Sequence, residues 1–326
     1  MYSNPDILHQ IAVVVPIHFN ADEDISLIRD ILENTFRNQE LVCARKNLLA
    51  VVDRGSVAEE VLRDADSGSC LYGINVHTLE KNRCKAGAVR EGLELLLQNP
   101  EIDFFVTRDC DGDHRVDDLP RLVQFLLYAA DVTGNSRICI MGSRSSLEKP
   151  MGWARQEWEN LTNDILTGIV RLKLAEEGRV MDERFWNGSP PDIQSGYRVY
   201  SRLAAETAVS CLAQLPEDRK ILNFACEFEP FIDINLAGGL FCQVNRLTLV
   251  EQPVSNYSNS DYAGDYGTFI EHAVQRLGLN KKTALLLFDN AISRNSLFFT
   301  DYRNELLKCR AILGGTTKPP LQAPYA

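Results

Sequence analysis

Short apolar runs, each followed by a stretch of helical spacing, constrain this chain more than any other feature. Ile11 to Pro16 is a continuous run rich in β-branched residues and closed by a proline. Such a run predicts a strand buried on both faces, the kind found inside a parallel sheet. Leu48 to Val52, Ile74 to Leu79 and Phe104 to Val106 predict three more strands. Between them, Asp22 to Asn34 carries Ile25, Ile28, Ile31 and Leu32 at helical spacing, Ala58 to Ala65 reads as a helix, and Lys85 to Leu97 repeats the pattern through Ala88, Leu93, Leu96 and Leu97. Strand alternating with helix predicts an α/β fold with a doubly wound, mostly parallel sheet, whose ligands sit outside the carboxyl ends of the strands.

The second half is less regular. Helices are predicted over Leu119 to Asp131, Trp153 to Glu177, Ala204 to Leu212 and Phe228 to Asn235, and strands over Arg137 to Gly142, Tyr197 to Tyr200 and Phe241 to Val250. Arg179 to Pro191 and the Ser-, Asn-, Tyr- and Gly-rich stretch Ser255 to Gly267 read as loops. A helical tail is expected over Thr268 to Ala311, then a Pro-rich end. These boundaries predict one large domain over residues 1–255, with a donor half at about 10–145 and an acceptor half at 146–255. A loop, a helical C-terminal extension and a tail are expected over 256–326.

Composition narrows the partners. A formal charge of −11 over 326 residues argues against nucleic acid and against a polybasic membrane anchor. The nine cysteines include no Cys-x-x-Cys pair and read as reduced thiols of a cytoplasmic protein, at most peripheral to a membrane. No stretch reads as a signal peptide or a transmembrane segment. A homo-oligomer is left open.

The chemistry concentrates in Asp109, Cys110, Asp111, Gly112, Asp113 and His114, directly after the Phe104 to Val106 strand. Three aspartates this close repel one another, and a hard divalent cation with oxygen ligands is the usual means of keeping them ionised together. Gly112 can turn the chain so that they converge. An EF-hand loop is excluded, because its sixth and twelfth positions would be His114 and Pro120 rather than glycine and glutamate. An acidic turn without a ligand and an aspartate-nucleophile phosphatase are the competing readings.

Seven stretches in order resemble the family 2 glycosyltransferases of the GT-A fold, closest to the polyprenol-phosphate mannosyl- or glucosyltransferase branch. They are Val13 to Pro16, Val52 to Ser56, Asn82 with Lys85 to Gly92, Asp109 to His114, Gly142 to Arg144, Asp192 to Arg198, and Glu251 to Pro253. The resemblance implies a Rossmann-like, mostly parallel sheet and a metal-dependent transfer of a hexose from a GDP- or UDP-sugar, with inversion. It places Pro16 and Asp53 against the donor nucleotide, Asp109 on its ribose and metal, and Lys85, Arg144 and Arg198 on its phosphates. Asp109, Asp111 and Asp113 would hold Mn²⁺ or Mg²⁺. Asp53 can instead cap a helix, and each cation can instead form an ordinary ion pair.

The acceptor decides the mechanism. A hydroxyl needs a general base near the anomeric carbon, whereas a phosphate arrives ionised. Asp192, Glu227 and Glu229 are the candidate bases. Glu229 aligns best with the branch, and the two glutamates cannot both face one site if their segment is helical. The branch follows its Glu-x-Pro strand with an arginine-bearing loop, but Ser255 to Asp261 has no arginine. A small polar or phosphorylated acceptor is therefore expected, with a lipid phosphate as the branch alternative. The rivals are a sugar nucleotidyltransferase and a non-catalytic nucleotide-sugar-binding protein. The first normally carries a Gly-rich, Arg-containing loop after its first strand, and Pro16 to Asn20 has none.

Overall fold

The computed structural model describes residues 5–20, 22–144, 152–186, 190–246 and 261–315. A seven-stranded sheet organises them, built from β1 (Ile11–Ile17), β2 (Leu48–Val52), β3 (Asn75–Thr78), β4 (Phe104–Thr107), β5 (Ile138–Arg144), β6 (Arg198–Ser201) and β7 (Leu240–Arg246). The spatial order is β3-β2-β1-β4-β6-β5-β7. Only β6 runs antiparallel, to β4 on one side and β5 on the other. This is the α/β, GT-A-like architecture expected, a mostly parallel mixed sheet flanked by helices.

Alternation within β1 explains the two layers. Ala12 and Val14 point into one core, while Ile11, Val13, Val15 and Ile17 point into the other. The second core is covered by α2 (Ile25–Phe36), α3 (Ala58–Arg63) and α5 (Leu119–Thr133), which follow the short α1 (Pro5–Gln10). The first is covered by α4 (Cys84–Leu97), α6 (Trp153–Glu176), α7 (Arg202–Leu212) and α8 (Arg219–Leu236). At Gly92 a Cβ would stand 2.5 Å from Val14 Cγ1 and 2.9 Å from Val51 Cγ2. Glycine there lets α4 lie directly on the sheet, which fixes where Lys85 at its start can reach.

Two expectations need correction. Helix α8 begins at Arg219, nine residues before the expected start, with the Asp218 carboxylate accepting from Lys220 N. Pro230 lies in its interior. The stretch 262–267 is not loop but the first part of α9 (Tyr262–Arg276). There Tyr262 and Tyr266 stack on Trp158, with centroids 6.2 and 5.8 Å away. Burying those rings outweighs the poor helix propensity of Gly264 and Gly267. Gly267 even allows close approach, since a Cβ there would stand 3.1 Å from Ile312 Cδ1.

The rest of the C-terminal region is α10 (Lys281–Ile292) and α11 (Arg303–Gly314). Phe269, Phe288 and Leu306 from these helices share one core with Val14, Trp158 and Phe228. No helix among the described residues is long and apolar enough to cross a membrane. The Glu251 to Pro253 motif, the 255–260 stretch, the 255/256 boundary and the tail from Thr316 lie outside the described residues.

Candidate active site

Strands β1, β2 and β4 end at one edge of the sheet, and a cleft of about 350 Å³ opens there. Its lining brings together Pro16, Asp53, Lys85, Asp109, Asp111, Asp113, Arg144 and Glu227. Asp192 stands one layer behind, while Arg198 and Glu229 are not part of the lining.

Asp53, buried at the end of β2, is a helix cap as well as a cleft residue. Its Oδ1 accepts from Arg83 N at 2.9 Å and Arg54 N at 3.1 Å, and its Oδ2 from Cys84 N at 3.0 Å. Arg83 and Cys84 stand at the start of α4, thirty residues on in sequence, so the carboxylate satisfies amides there that have no partner within the helix. A carboxylate offers about four acceptor positions, so roughly one remains for a ligand. Cys84 is held at φ +57, a left-handed conformation that side chains seldom adopt and that gathers at functional sites.

Lys85 then points across the cleft. Its Nζ lies 2.7 Å from Asp109 Oδ1 and 2.5 Å from Glu227 Oε1. Burial acts to lower the ammonium pKa, but Asp109 and Glu227 overcome it and hold the group well above its ordinary value. Burial likewise acts to raise the Asp109 carboxyl, and Lys85 outweighs it and holds the group well below the usual carboxylate range. Asp111 goes the other way. Burial, then the charges of Asp109 and Asp113, raise its pKa to about 6.

The acidic turn is tightly built. Gly112 takes φ +78, as the turn requires. Gly196 packs against the turn's first residue, since a Cβ there would stand 2.6 Å from Asp109 Oδ2. His114 Nδ1 accepts from Asp109 N at 2.9 Å, and the ring stacks on Tyr197. Burial, followed by Arg246, pushes the His114 pKa well below its ordinary value, so the ring is neutral. Behind the turn, buried Arg108 donates to Thr35 O at 3.1 Å and to the His114 carbonyl, tying it to α2.

The surroundings of three expected site residues are now defined. Asp113 lines the cleft with one oxygen already engaged: its Oδ2 is paired with buried Arg246 Nη2 at 3.0 Å, and Arg246 also holds the Asp113 carbonyl. Arg198 is fully buried and does not reach the cleft. It donates to the carbonyls of Ile193 at 2.6 Å, Ser195 at 3.1 Å and Cys226 at 3.2 Å, fastening the 192–197 segment to α8. Glu229 faces away from the cleft, with Oε1 3.1 Å from His272 Nε2 and Oε2 3.0 Å from Arg276 Nη1. On a helix, positions two apart point to nearly opposite sides, so Glu227 alone meets the cleft.

Arg144 and Asp192 form a buried pair. Arg144 Nε lies 2.8 Å from Asp192 Oδ2, and its Nη2 lies 2.6 Å from Glu159 Oε2, which Arg155 also engages through Oε1 at 2.9 Å. Burial acts to raise the Asp192 carboxyl, but Arg144 outweighs it and holds the group below the usual range. Sequence reasoning missed Arg155, Glu159, Gln194, Arg219, Asn223 and Arg246, all of which line the cleft. For Arg219 and Asn223 the signal was present: with Glu227 they form an i, i+4, i+8 stripe on α8.

Among the described residues no group of three or more His, Cys, Asp and Glu side chains is arranged to hold a metal ion. Asp109 and Asp111 still suit a magnesium-type site, in which one or two carboxylates are completed by water and substrate phosphates.

No family model matches this chain, and no curated protein matches it. Solved structures do resemble it. CMP:2-keto-3-deoxy-manno-octonic acid synthetase complexed with CTP is similar at 12% identity over 73% of this chain and 90% of that one, with a TM-score of 0.40. The 4-diphosphocytidyl-2C-methyl-D-erythritol synthase of Anaerococcus prevotii is similar at 9% identity over 80% and 98%, with a TM-score of 0.40. Rv0371C of Mycobacterium tuberculosis, solved with manganese, is similar at 14% identity over 82% and 97%, with a TM-score of 0.36. At these values the likeness is one of α/β fold alone.

Proposed function

We propose that the cleft binds a nucleoside diphospho-sugar and transfers its hexose to a small polar or phosphorylated acceptor, with inversion. The observation that carries the reading is the gathering of Asp53, Lys85, Asp109 and Asp111 in one cleft at the carboxyl edge of β2, β1 and β4. Asp53 keeps about one acceptor position for the nucleoside. Lys85, whose ammonium has a third N–H beyond those facing Asp109 and Glu227, adds a phosphate oxygen when the donor enters. A divalent cation held by Asp109 and Asp111, when bound, neutralises the departing diphosphate.

The carboxylates expected to serve as base are engaged. Asp192 is locked on Arg144, and Glu227 on Lys85 with Cys226 Sγ donating to its second oxygen at 3.0 Å. An acceptor that arrives already ionised fits that arrangement best.

A second reading, nucleotidyl transfer from a nucleoside triphosphate to a sugar or sugar phosphate, uses the same cleft. Against it stands the start of α2, where such an enzyme receives the triphosphate. Asp22, Glu23 and Asp24 occupy that corner, and Asp24 already caps the helix, accepting from Ser26 N at 2.8 Å. Calorimetric titration of UDP, GDP and their sugars, with Mn²⁺, Mg²⁺ or chelator, tests the proposal. It predicts metal-dependent binding of one diphosphate that Asp111→Ala abolishes. Pyrophosphate release from a triphosphate and a sugar phosphate would establish the second reading instead.

A further inference from the structure

Among the described cleft-lining residues, only Gln194 has a buried side-chain polar atom without a hydrogen-bond partner, its amide nitrogen Nε2. Burying an N–H without a partner is costly, so one at the wall of a cleft marks a place where a ligand completes the bond.

The sheet says which part of the ligand. Strand β6 enters antiparallel, so the segment before it lies at the carboxyl edge beside β4. Gly196 fixes that segment there: it presses on Asp109, and its carbonyl accepts from Thr107 Oγ1 at 3.0 Å. Along the cleft the order is therefore Asp53 on β2, Pro16 on β1, Asp109 on β4, then Gln194. Neighbouring strands lie about 4.8 Å apart, so Gln194 stands roughly 14 Å from the nucleoside end, beyond the diphosphate position. We propose that Gln194 is a specificity residue for the hexose of the donor, its Nε2 donating to a sugar hydroxyl oxygen. A neutral amide, with donors and an acceptor together, suits a hydroxyl, whereas phosphates call for cations. The inference rests on the glycosyl-transfer reading and adds to it the group that meets the sugar.

The test is calorimetric titration of UDP, UDP-glucose, GDP and GDP-mannose, with Mn²⁺, into the wild type and the Gln194→Leu and Gln194→Met variants. UDP or GDP binds within about twofold across all three proteins, which also shows that the variant clefts are intact. The matching sugar nucleotide loses roughly tenfold in both variants. Unchanged affinity for the sugar nucleotide, or a loss shared equally by the bare diphosphate, overturns the role of Gln194 and leaves the donor site standing. A wild type that binds neither UDP nor GDP overturns the proposed function itself, and the role of Gln194 with it.

Discussion

Glu227 and Glu229 lie two residues apart on α8, yet one belongs to the cleft and the other to the core. Glu227 reaches across to Lys85 on α4, and through it to Asp109. Glu229 is fully buried against α9, between His272 and Arg276, and Arg276 carries on to Asp233 at 2.6 Å. Both are buried acids with cationic partners, so burial and charge do not separate them. Position on the helix does: one carboxylate faces the open edge of the sheet, where a ligand can share its partner, and the other faces a helix packed into the core.

The largest effect should come from the closed side. Removing one member of a buried pair leaves its partners uncompensated, at a cost of about 3–5 kcal/mol. Glu229→Ala should therefore lower Tm by roughly 4–7 °C, at about 1.5 °C per kcal/mol for a chain of this size, while leaving affinity for the nucleoside diphosphate unchanged. Loss of that affinity with an unaltered melting curve would return Glu229 to the site and break the contrast.

On the open side, Lys85→Met should weaken nucleoside diphosphate binding by roughly ten- to hundredfold, the worth of a charge-assisted contact to phosphate. Full affinity in this variant would mean that Lys85 only neutralises Asp109 and Glu227, making it as structural as Arg276.

Asp111 sharpens the comparison through pH. Its pKa in the folded protein, about 6, lies above the ordinary 3.8, so the native state holds the proton more tightly than the unfolded chain does. That contribution is complete below about pH 4 and is lost as pH rises toward 6, above which the ionised group strains the metal-free fold. Asp111→Asn in chelator should therefore raise Tm at pH 7.5 and flatten the pH 4–6 slope, while abolishing metal-dependent nucleotide binding. A melting profile identical to wild type would show that the turn tolerates its charges without a cation.

The same contrast explains what was legible in the sequence. The first half could be read because β1, β2 and β4 are buried on both faces, so their runs are continuous, and because Gly92 and Gly112 sit where a Cβ or an ordinary φ would be excluded. These are backbone requirements, and they leave fixed residues at fixed spacing. The partners of a side chain leave no such trace. Nothing local shows that Asp113 is held by an arginine 133 residues later, or that Arg198 serves three carbonyls. The front stripe of α8 lies in the nine residues before the expected start at Phe228, and tertiary packing carries the helix through Pro230 as well.

That stripe supplies the smallest test. Arg219, Asn223 and Glu227 face the cleft from α8, and Arg219 is exposed at its upper end. An exposed guanidinium attracts an anion through solvent, so its pull is weak and screened by salt. Arg219→Ala should lower nucleoside diphosphate affinity only about two- to threefold at low ionic strength, and by less at high salt. A loss as large as that of Lys85→Met, and indifferent to salt, would move the phosphates from the strand ends to the start of α8. The α8 front would then be the principal anion site, and the Lys85–Asp109 pair would become its support.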